Sequence, residues 1–319
     1  MQLEHIDYPV IKVNDLTPVA LFAYSRPGHL KKSLASLQLD PLAHKTPLYI
    51  FCDAPGDEEV KLDCDEVKRI AHSIQGFSNV KIIERPYNYG LAKSIIEGVS
   101  YILNKYDQVI ILEDDLVVSP HFLKYMNEAL NIYKNEPRVA AIHGYLLPLN
   151  ASIPETFFLK GADCWGWATW SRAWRKFNPN GFELLNELKL RNLTSEFDLG
   201  GVCPYTKMLA NQVAGLNQSW AIRWQASVFL NEMLTLYPCR SLVQNIGNDN
   251  SGIHCSASND YDVHLTETPI RVLRIPVEES LIALSAVKNF YKKIRWLPRR
   301  IMKYIANHYL KLTKISQGH

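Results

Sequence analysis

The sequence predicts an α/β protein built on a mostly parallel sheet flanked by helices, with a basic amphipathic helical tail at its C-terminal end. Three observations carry that prediction. Short apolar runs alternate with amphipathic runs over the first 145 residues, the pattern of strands joined by crossover helices. One run, Val109-Ile110-Ile111-Leu112, is apolar throughout and closes on Glu113-Asp114-Asp115, so a strand buried on both faces ends in three carboxylates. After residue 287, nine cations and no acidic side chain are interleaved with aromatic and aliphatic residues.

Composition agrees with a globular enzyme. At 319 residues, 47% hydrophobic and 21% charged, the chain has material for one large domain or two ordinary ones, and neither disorder nor repeats are expected. The net charge is +3, so the nine tail cations leave −6 on the first 287 residues. Six cysteines (Cys52, Cys64, Cys164, Cys203, Cys239, Cys255) lack CxxC spacing, which argues against a zinc module or disulfide framework. They read as reduced thiols in a cytoplasmic protein. Met1 to Asp15 contains acids and no long apolar run, so no signal peptide is expected. No apolar segment reaches the roughly 18 residues of a membrane span.

Taken in order, Val19 to Tyr24 is a strand, closed by Ser25-Arg26-Pro27-Gly28 and followed by a helix over 29–39 with Leu30, Leu34 and Leu37 inward. Pro47 to Cys52 is the second strand, ending at Asp53, and 58–75 is a charged surface helix. Val80 to Ile83 is the third. Arg85-Pro86-Tyr87-Asn88-Tyr89-Gly90 then turns into a helix reaching about residue 104, whose N-terminus, with Lys93 and the upstream Arg85, reads as a phosphate site or as ordinary capping and surface charge. The acidic strand follows, then a helix over 121–134 and a strand over 139–143. Beyond residue 145 the pattern changes. Trp165, Trp167, Trp170 and Trp174 crowd together, as a stacking platform for sugars or as core. Residues 178–215 read as helical and irregular, 220–233 as a helix, and 234–238 as a strand leading into the Asn- and Gly-rich loop 245–255.

The acidic cluster carries the chemistry. Carboxylates crowded at the end of a buried strand call for a cation, and hard oxygen ligands suit Mn²⁺ or Mg²⁺ with positions left for water and substrate phosphate. The alternative is a solvated acidic turn. The tail suits an anionic membrane surface, with a packing helix as alternative. Nucleic acid is disfavoured, since no nucleic-acid motif accompanies the charge and the body is acidic.

These segments together resemble GT-A nucleotide-sugar glycosyltransferases, which have a Rossmann-like sheet, and in particular N-acetylglucosaminyltransferase I (family 13) and bacterial family 2-like enzymes. The carrying residues are Ala23-Tyr24-Ser25-Arg26-Pro27, Asp53, Asn88 to Ser94, Val109 to Pro120 with Phe122 and Tyr125, Trp165-Gly166-Trp167 and Gly252-Ile253-His254. The resemblance spans about residues 17–260. It implies that Ser25, Arg26 and Asp53 hold the nucleobase and ribose, and that Asn88 belongs to the donor site. Glu113 and Asp114 would lie against the donor, and Asp115 would bind the metal that bridges its diphosphate. His254 matches a histidine on metal or diphosphate, Arg26, Arg85 or Lys93 would assist the leaving group, and Trp165 and Trp167 would cup donor or acceptor.

One departure stands out. The family's base follows a tryptophan in a stretch matching Ser219 to Trp224, yet Ala221 and Ile222 occupy its acidic positions. Asp163 or Asp249 is expected to replace it, with Asp163 preferred for its place beside the tryptophans; changed stereochemistry or lost activity would equally account for the departure. The resulting expectation is an inverting glycosyltransferase with a UDP-like donor and a saccharide or lipid-linked acceptor of bacterial surface glycan synthesis. It would be cytoplasmic and peripheral on the inner face of the membrane. Residues 1–16 would be an extension, 17–145 the donor half, 146–270 the acceptor and catalytic half, and 271–319 the membrane tail. The rivals are a sugar-phosphate nucleotidyltransferase, for which Ser25-Arg26-Pro27-Gly28 is a poor glycine-rich loop, and a non-catalytic sugar-binding scaffold.

Overall fold

The computed structural model describes residues 16–249 and 259–294. Strand β1 (Val19–Ala23) is wholly apolar and buried, and α1 (Pro27–Gln38) follows it with proline in its first turn, where the missing N–H costs nothing. Then come β2 (Pro47–Cys52), α2 (Lys61–Ser73), β3 (Asn79–Glu84), α3 (Gly90–Leu103) and β4 (Gln108–Glu113). β2 and β4 pair in parallel with opposite edges of β1, and β3 adds outside β2. The chain therefore winds outward from β1 to β3 and returns on the other side, which puts a topological switch point between β1 and β4. In such sheets ligands bind outside the carboxyl ends of the strands at that point.

Two-sided burial explains the continuous apolar runs. Val19, Leu21, Ile110 and Leu112 enter a core with Leu30, Leu34 and Leu37 of α1, while Ala20, Phe22, Val109 and Ile111 face Ile95, Val99 and Ile102 of α3. Gly98 lets α3 approach closely, because a Cβ there would run into the Phe22 ring, itself stacked on Phe51 at 4.8 Å.

The second half contains β5 (Leu116–Val118), α4 (Phe122–Ile132), β6 (Val139–His143), β7 (Thr156–Lys160), β8 (Trp167–Trp170), α5 (Ser171–Trp174), α6 (Gly181–Leu190), α7 (Thr194–Phe197), α8 (Tyr205–Val213), α9 (Trp220–Leu230), β9 (Leu234–Pro238) and β10 (Val243–Asn245). The sheet order is β3-β2-β1-β4-β8-β6-β9-β7. It is parallel on the β1 side and mixed beyond β4, where β8 inserts antiparallel between β4 and β6. β5 and β10 form a separate antiparallel ribbon just past the end of β4. Strands β5, β7, β8 and β10 are absent from the sequence-based pattern, because each is short and takes its pairing from distant partners.

The first part of the segment expected as a tail, 271–294, is described. Ile270, Val272, Ala283 and Val287 are buried, and Glu279 bridges Phe158 of β7, so the chain is bound to the body as far as the helix over 281–294. The remaining cations from Arg295 onward lie outside the described residues. Among the described residues no helix is long and apolar enough to cross a membrane, and no disulfide forms.

Candidate active site

Parallel registry places Phe22 of β1 beside Glu113 of β4, so the residues leaving the two strands share one crevice. Arg26 reaches across it. Its Nη2 lies 2.5 Å from Asp114 Oδ1 and 3.0 Å from Asp115 Oδ2. The Tyr24 N–H donates to Asp114 Oδ2 at 3.2 Å, and Ser33 Oγ of α1 donates to the Asp114 carbonyl at 2.7 Å. Asp114 is thereby fully engaged. Asp115 is not, since its buried Oδ1 has no hydrogen-bond partner among the described residues. Ser25 and Arg26 are half-buried at the mouth.

The β5–β10 ribbon delivers a second wall. The Ile246 N–H donates to the Asp115 carbonyl at 2.9 Å, and Asn245 Oδ1 accepts from Gly247 N at 2.7 Å. Gly247 then lies so close that a Cβ would collide with Asp115 Oδ2 and stand 2.9 Å from Arg26 Nη1. Two residues on, Asp249 Oδ2 is 3.1 Å from His29 Nε2 of α1, which brings Asp249 to the same mouth. His29 and Gly247 carry no local sequence signal, because their importance comes from a loop more than two hundred residues after β1. His254, the expected second metal ligand, lies outside the described residues.

Burial dominates the electrostatics. It pushes Glu113 up to about 8, with Asp115 and Asp114 adding to the rise and Arg26 opposing it. Burial also raises Asp114, to about 6, against the attraction of Arg26. For Arg26 itself desolvation disfavours the charge, but the two carboxylates outweigh it and hold the guanidinium firmly protonated. Burial thus opposes the charged forms of Glu113 and Asp114, and Arg26 offsets that opposition from across the crevice.

Among the described residues no three His, Cys, Asp or Glu side chains converge as a metal cage. The residues present nonetheless fit a hard divalent ion of the Mn²⁺ or Mg²⁺ kind. Such ions are commonly held by one or two carboxylates with water and substrate phosphate completing the shell. The orphaned Oδ1 of Asp115 is an oxygen of that kind in a buried site.

The remaining expected residues divide. Asp53 accepts from Ala54 N (3.0 Å) and Tyr89 N (2.8 Å) at Oδ1 and from Gly90 N (2.9 Å) at Oδ2, so the anion position at the start of α3 is filled by the protein's own carboxylate. Asn88 Nδ2 donates to the Ala54 carbonyl at 2.8 Å and ties the same turn to β2. Arg85 lies under the Tyr89 ring at 4.5 Å, and Lys93 is exposed, 4.1 Å from that ring and 3.0 Å from Tyr87 Oη. Through Asp53 and Asn88 these contacts tie the end of β2 to the turn before α3.

The tryptophans also part company. Trp167 is 0% exposed, packed against Trp174, Trp220 and Trp224 beneath the sheet, and has no face for a ligand. Trp165 is half-buried and meets Tyr145 edge-on at 4.8 Å. Asp163 Oδ1 accepts from Cys164 N at 2.8 Å, and the carboxylate borders a cavity lined by Tyr145, Tyr205, Tyr237 and Tyr291. Burial raises the Cys164 thiol, and Asp163, Glu113 and Asp115 all add to the rise.

A profile described as GNT-I family matches residues 2–179. Comparison with curated proteins finds no match. Similar solved structures include a cytidylyltransferase from Leptospira borgpetersenii serovar Hardjo-bovis (strain JB197), 11% identical with a TM-score of 0.30 and covering 51% of this chain and 63% of that one. An active-site mutant of LgtC is 12% identical with a TM-score of 0.35, over 66% of this chain and 70% of its own. UDP-glucose pyrophosphorylase complexed with UDP-glucose is 13% identical with a TM-score of 0.29, over 54% and 80%.

Proposed function

This chain belongs to the GNT-I family and is a glycosyltransferase, and on that premise we propose that it transfers a sugar from a UDP donor, with inversion, to a saccharide or lipid-linked acceptor of a bacterial surface glycan. One observation carries the reading. At the switch point between β1 and β4, a buried aspartate keeps one oxygen unpartnered among the described residues, beside a guanidinium that is only 21% exposed. A carboxylate to hold a divalent ion and a cation to meet a diphosphate are what a nucleotide-sugar site needs in one place.

Asp115 would hold Mn²⁺ or Mg²⁺, which when bound supplies positive charge against that developing on the departing nucleoside diphosphate. The chain's own residues do the rest. Ser25 and Arg26 meet the donor at the mouth, Asp114 fixes the Arg26 guanidinium, and the Ile246-Gly247 backbone walls the crevice. Asp163 takes the proton of the acceptor hydroxyl, because the Cys164 N–H ties down its Oδ1 and the carboxylate sits beside tyrosines that suit a sugar ring. Asp249 is the second choice, since His29 already engages it. In this reading 17–145 is the donor half and 146–270 the acceptor half. The basic segment after 287 holds the enzyme on the inner face of the cytoplasmic membrane, which liposome sedimentation with and without anionic lipid tests directly.

Titration calorimetry with UDP, GDP and dTDP, each with and without Mn²⁺, tests the central claim. Mn²⁺-dependent binding of one nucleotide, lost in Asp115→Asn, is the expected result. Absence of nucleotide binding under every condition would favour a non-catalytic scaffold.

A further inference from the structure

Arg26 occupies an unusual position for a donor-binding cation. Its Nη2 is within 3.0 Å of both Asp114 and Asp115, with the three side chains 21%, 3% and 9% exposed, and Gly247 lies so near that a Cβ there would stand 2.9 Å from Nη1. The guanidinium is enclosed between two carboxylates and a loop backbone. Asp115 Oδ1, the oxygen left for a metal, is bonded to the same carbon as the Oδ2 that Arg26 holds. An ion arriving there meets a fixed positive charge a few ångströms away, in a crevice where water screens little. A nucleoside diphosphate changes that situation, because its oxygens offer Arg26 a bidentate partner of higher charge.

We infer that Arg26 is the built-in counter-ion of the acidic pair, and that ion and nucleoside diphosphate bind as a coupled pair because Arg26 exchanges Asp115 for the diphosphate as the ion arrives. This rests on the metal and nucleotide reading above. Its consequence is an order to the site: Mn²⁺ alone binds poorly, nucleotide alone binds poorly, and each strengthens the other by the same factor. Arg26 is then a positioning residue that keeps the metal site from filling before the donor is present.

The test measures Mn²⁺ affinity of the full chain by loss of the free-ion electron paramagnetic resonance signal, backed by calorimetry. Each is done with Mn²⁺ alone and with whichever of UDP, GDP and dTDP binds best. For the wild type, nucleotide is expected to tighten Mn²⁺ roughly tenfold or more. In Arg26→Met, Mn²⁺ alone is expected to bind roughly tenfold tighter than in the wild type, with the nucleotide-induced ratio falling to the part that direct contact between diphosphate and ion supplies, well below the wild type's. Arg26→Lys keeps the charge and should keep most of the ratio, which a purely structural role for Arg26 would not produce. Arg26→Gln repeats the neutral test if the Met variant does not fold, as judged by circular dichroism melting. Unchanged or weaker Mn²⁺ binding in the neutral variants, or a ratio as large as the wild type's, overturns the inference while leaving the parent reading intact. A wild type that binds no Mn²⁺ even with nucleotide removes the parent reading itself, and the inference with it.

Discussion

Asp53 and Asp115 are the same chemical group in similar burial, 5% and 7% exposed, each just past the carboxyl end of a parallel strand. Asp53 has three backbone N–H donors spread over both oxygens. Asp115 has one oxygen on Arg26 and, among the described residues, no partner for the other. Satisfied carboxylates at this depth hold loops together, and an unsatisfied one is the exception that calls for a ligand. Burial alone does not separate the two roles; the inventory of donors does.

The largest effect should come from Asp115→Asn. Calorimetry is expected to find Mn²⁺-supported nucleotide binding weakened by about 100-fold or more, with the melting temperature close to wild type; a variant that binds normally would erase the contrast. Asp53→Ala should do the opposite. Leaving the Ala54 N–H after β2 and the Tyr89 and Gly90 N–H groups at the start of α3 without their acceptor is expected to cost about 2 to 3 kcal/mol in urea unfolding. Nucleotide affinity of the folded variant should stay near wild type, and a stable variant that cannot bind nucleotide would make Asp53 a ligand after all.

A third buried carboxylate sharpens the comparison through pH. Asp40 accepts from Leu42 N and Leu123 N, yet burial still pushes it up to about 6 from its ordinary 3.8. An acid raised in the folded state keeps its proton longer there than in the unfolded chain. Its contribution is therefore most favourable at the acid end, declines as pH rises from about 4 to about 6, and is level above that. Asp40→Asn should flatten this decline by on the order of 1 to 2 kcal/mol. Unfolding curves of variant and wild type that stay parallel between pH 4 and pH 7 would contradict it. The smallest effect belongs to Asn88→Ala, which removes one partly buried hydrogen bond to Ala54 and should cost about 1 kcal/mol. A large loss of nucleotide binding with unchanged stability would return Asn88 to the donor site.

Several strands of the sheet are legible in the chain, on both its parallel and its mixed side. β2, β6 and β9 run over the same residues as the apolar segments that predict them, because a strand buried on both faces must be continuously apolar. The same rule locates Glu113-Asp114-Asp115 at a strand's carboxyl end, since charges cannot share that burial. Which carboxylate serves which purpose is decided elsewhere. Asp53 finds Gly90 37 residues away, and Arg26 finds Asp114 at a separation of 88. No local pattern encodes such pairings.

The tryptophans show the same division within three residues. Trp165 and Trp167 are spaced to lie on one face of a strand, but Gly166 at φ +66 turns the chain between them. Trp167 joins the ladder beside Ile111 and His143 and is sealed in the core, while Trp165 swings out toward Tyr145 and Tyr261. Composition and periodicity by themselves determined the parallel half of the sheet, its crossover helices and the place of the acidic triplet, because period and burial are local properties of the chain. Only the tertiary structure decided which tryptophan is sealed in the core and which aspartate, among the described residues, keeps an unpartnered oxygen, because both depend on donors and neighbours delivered from far along the sequence.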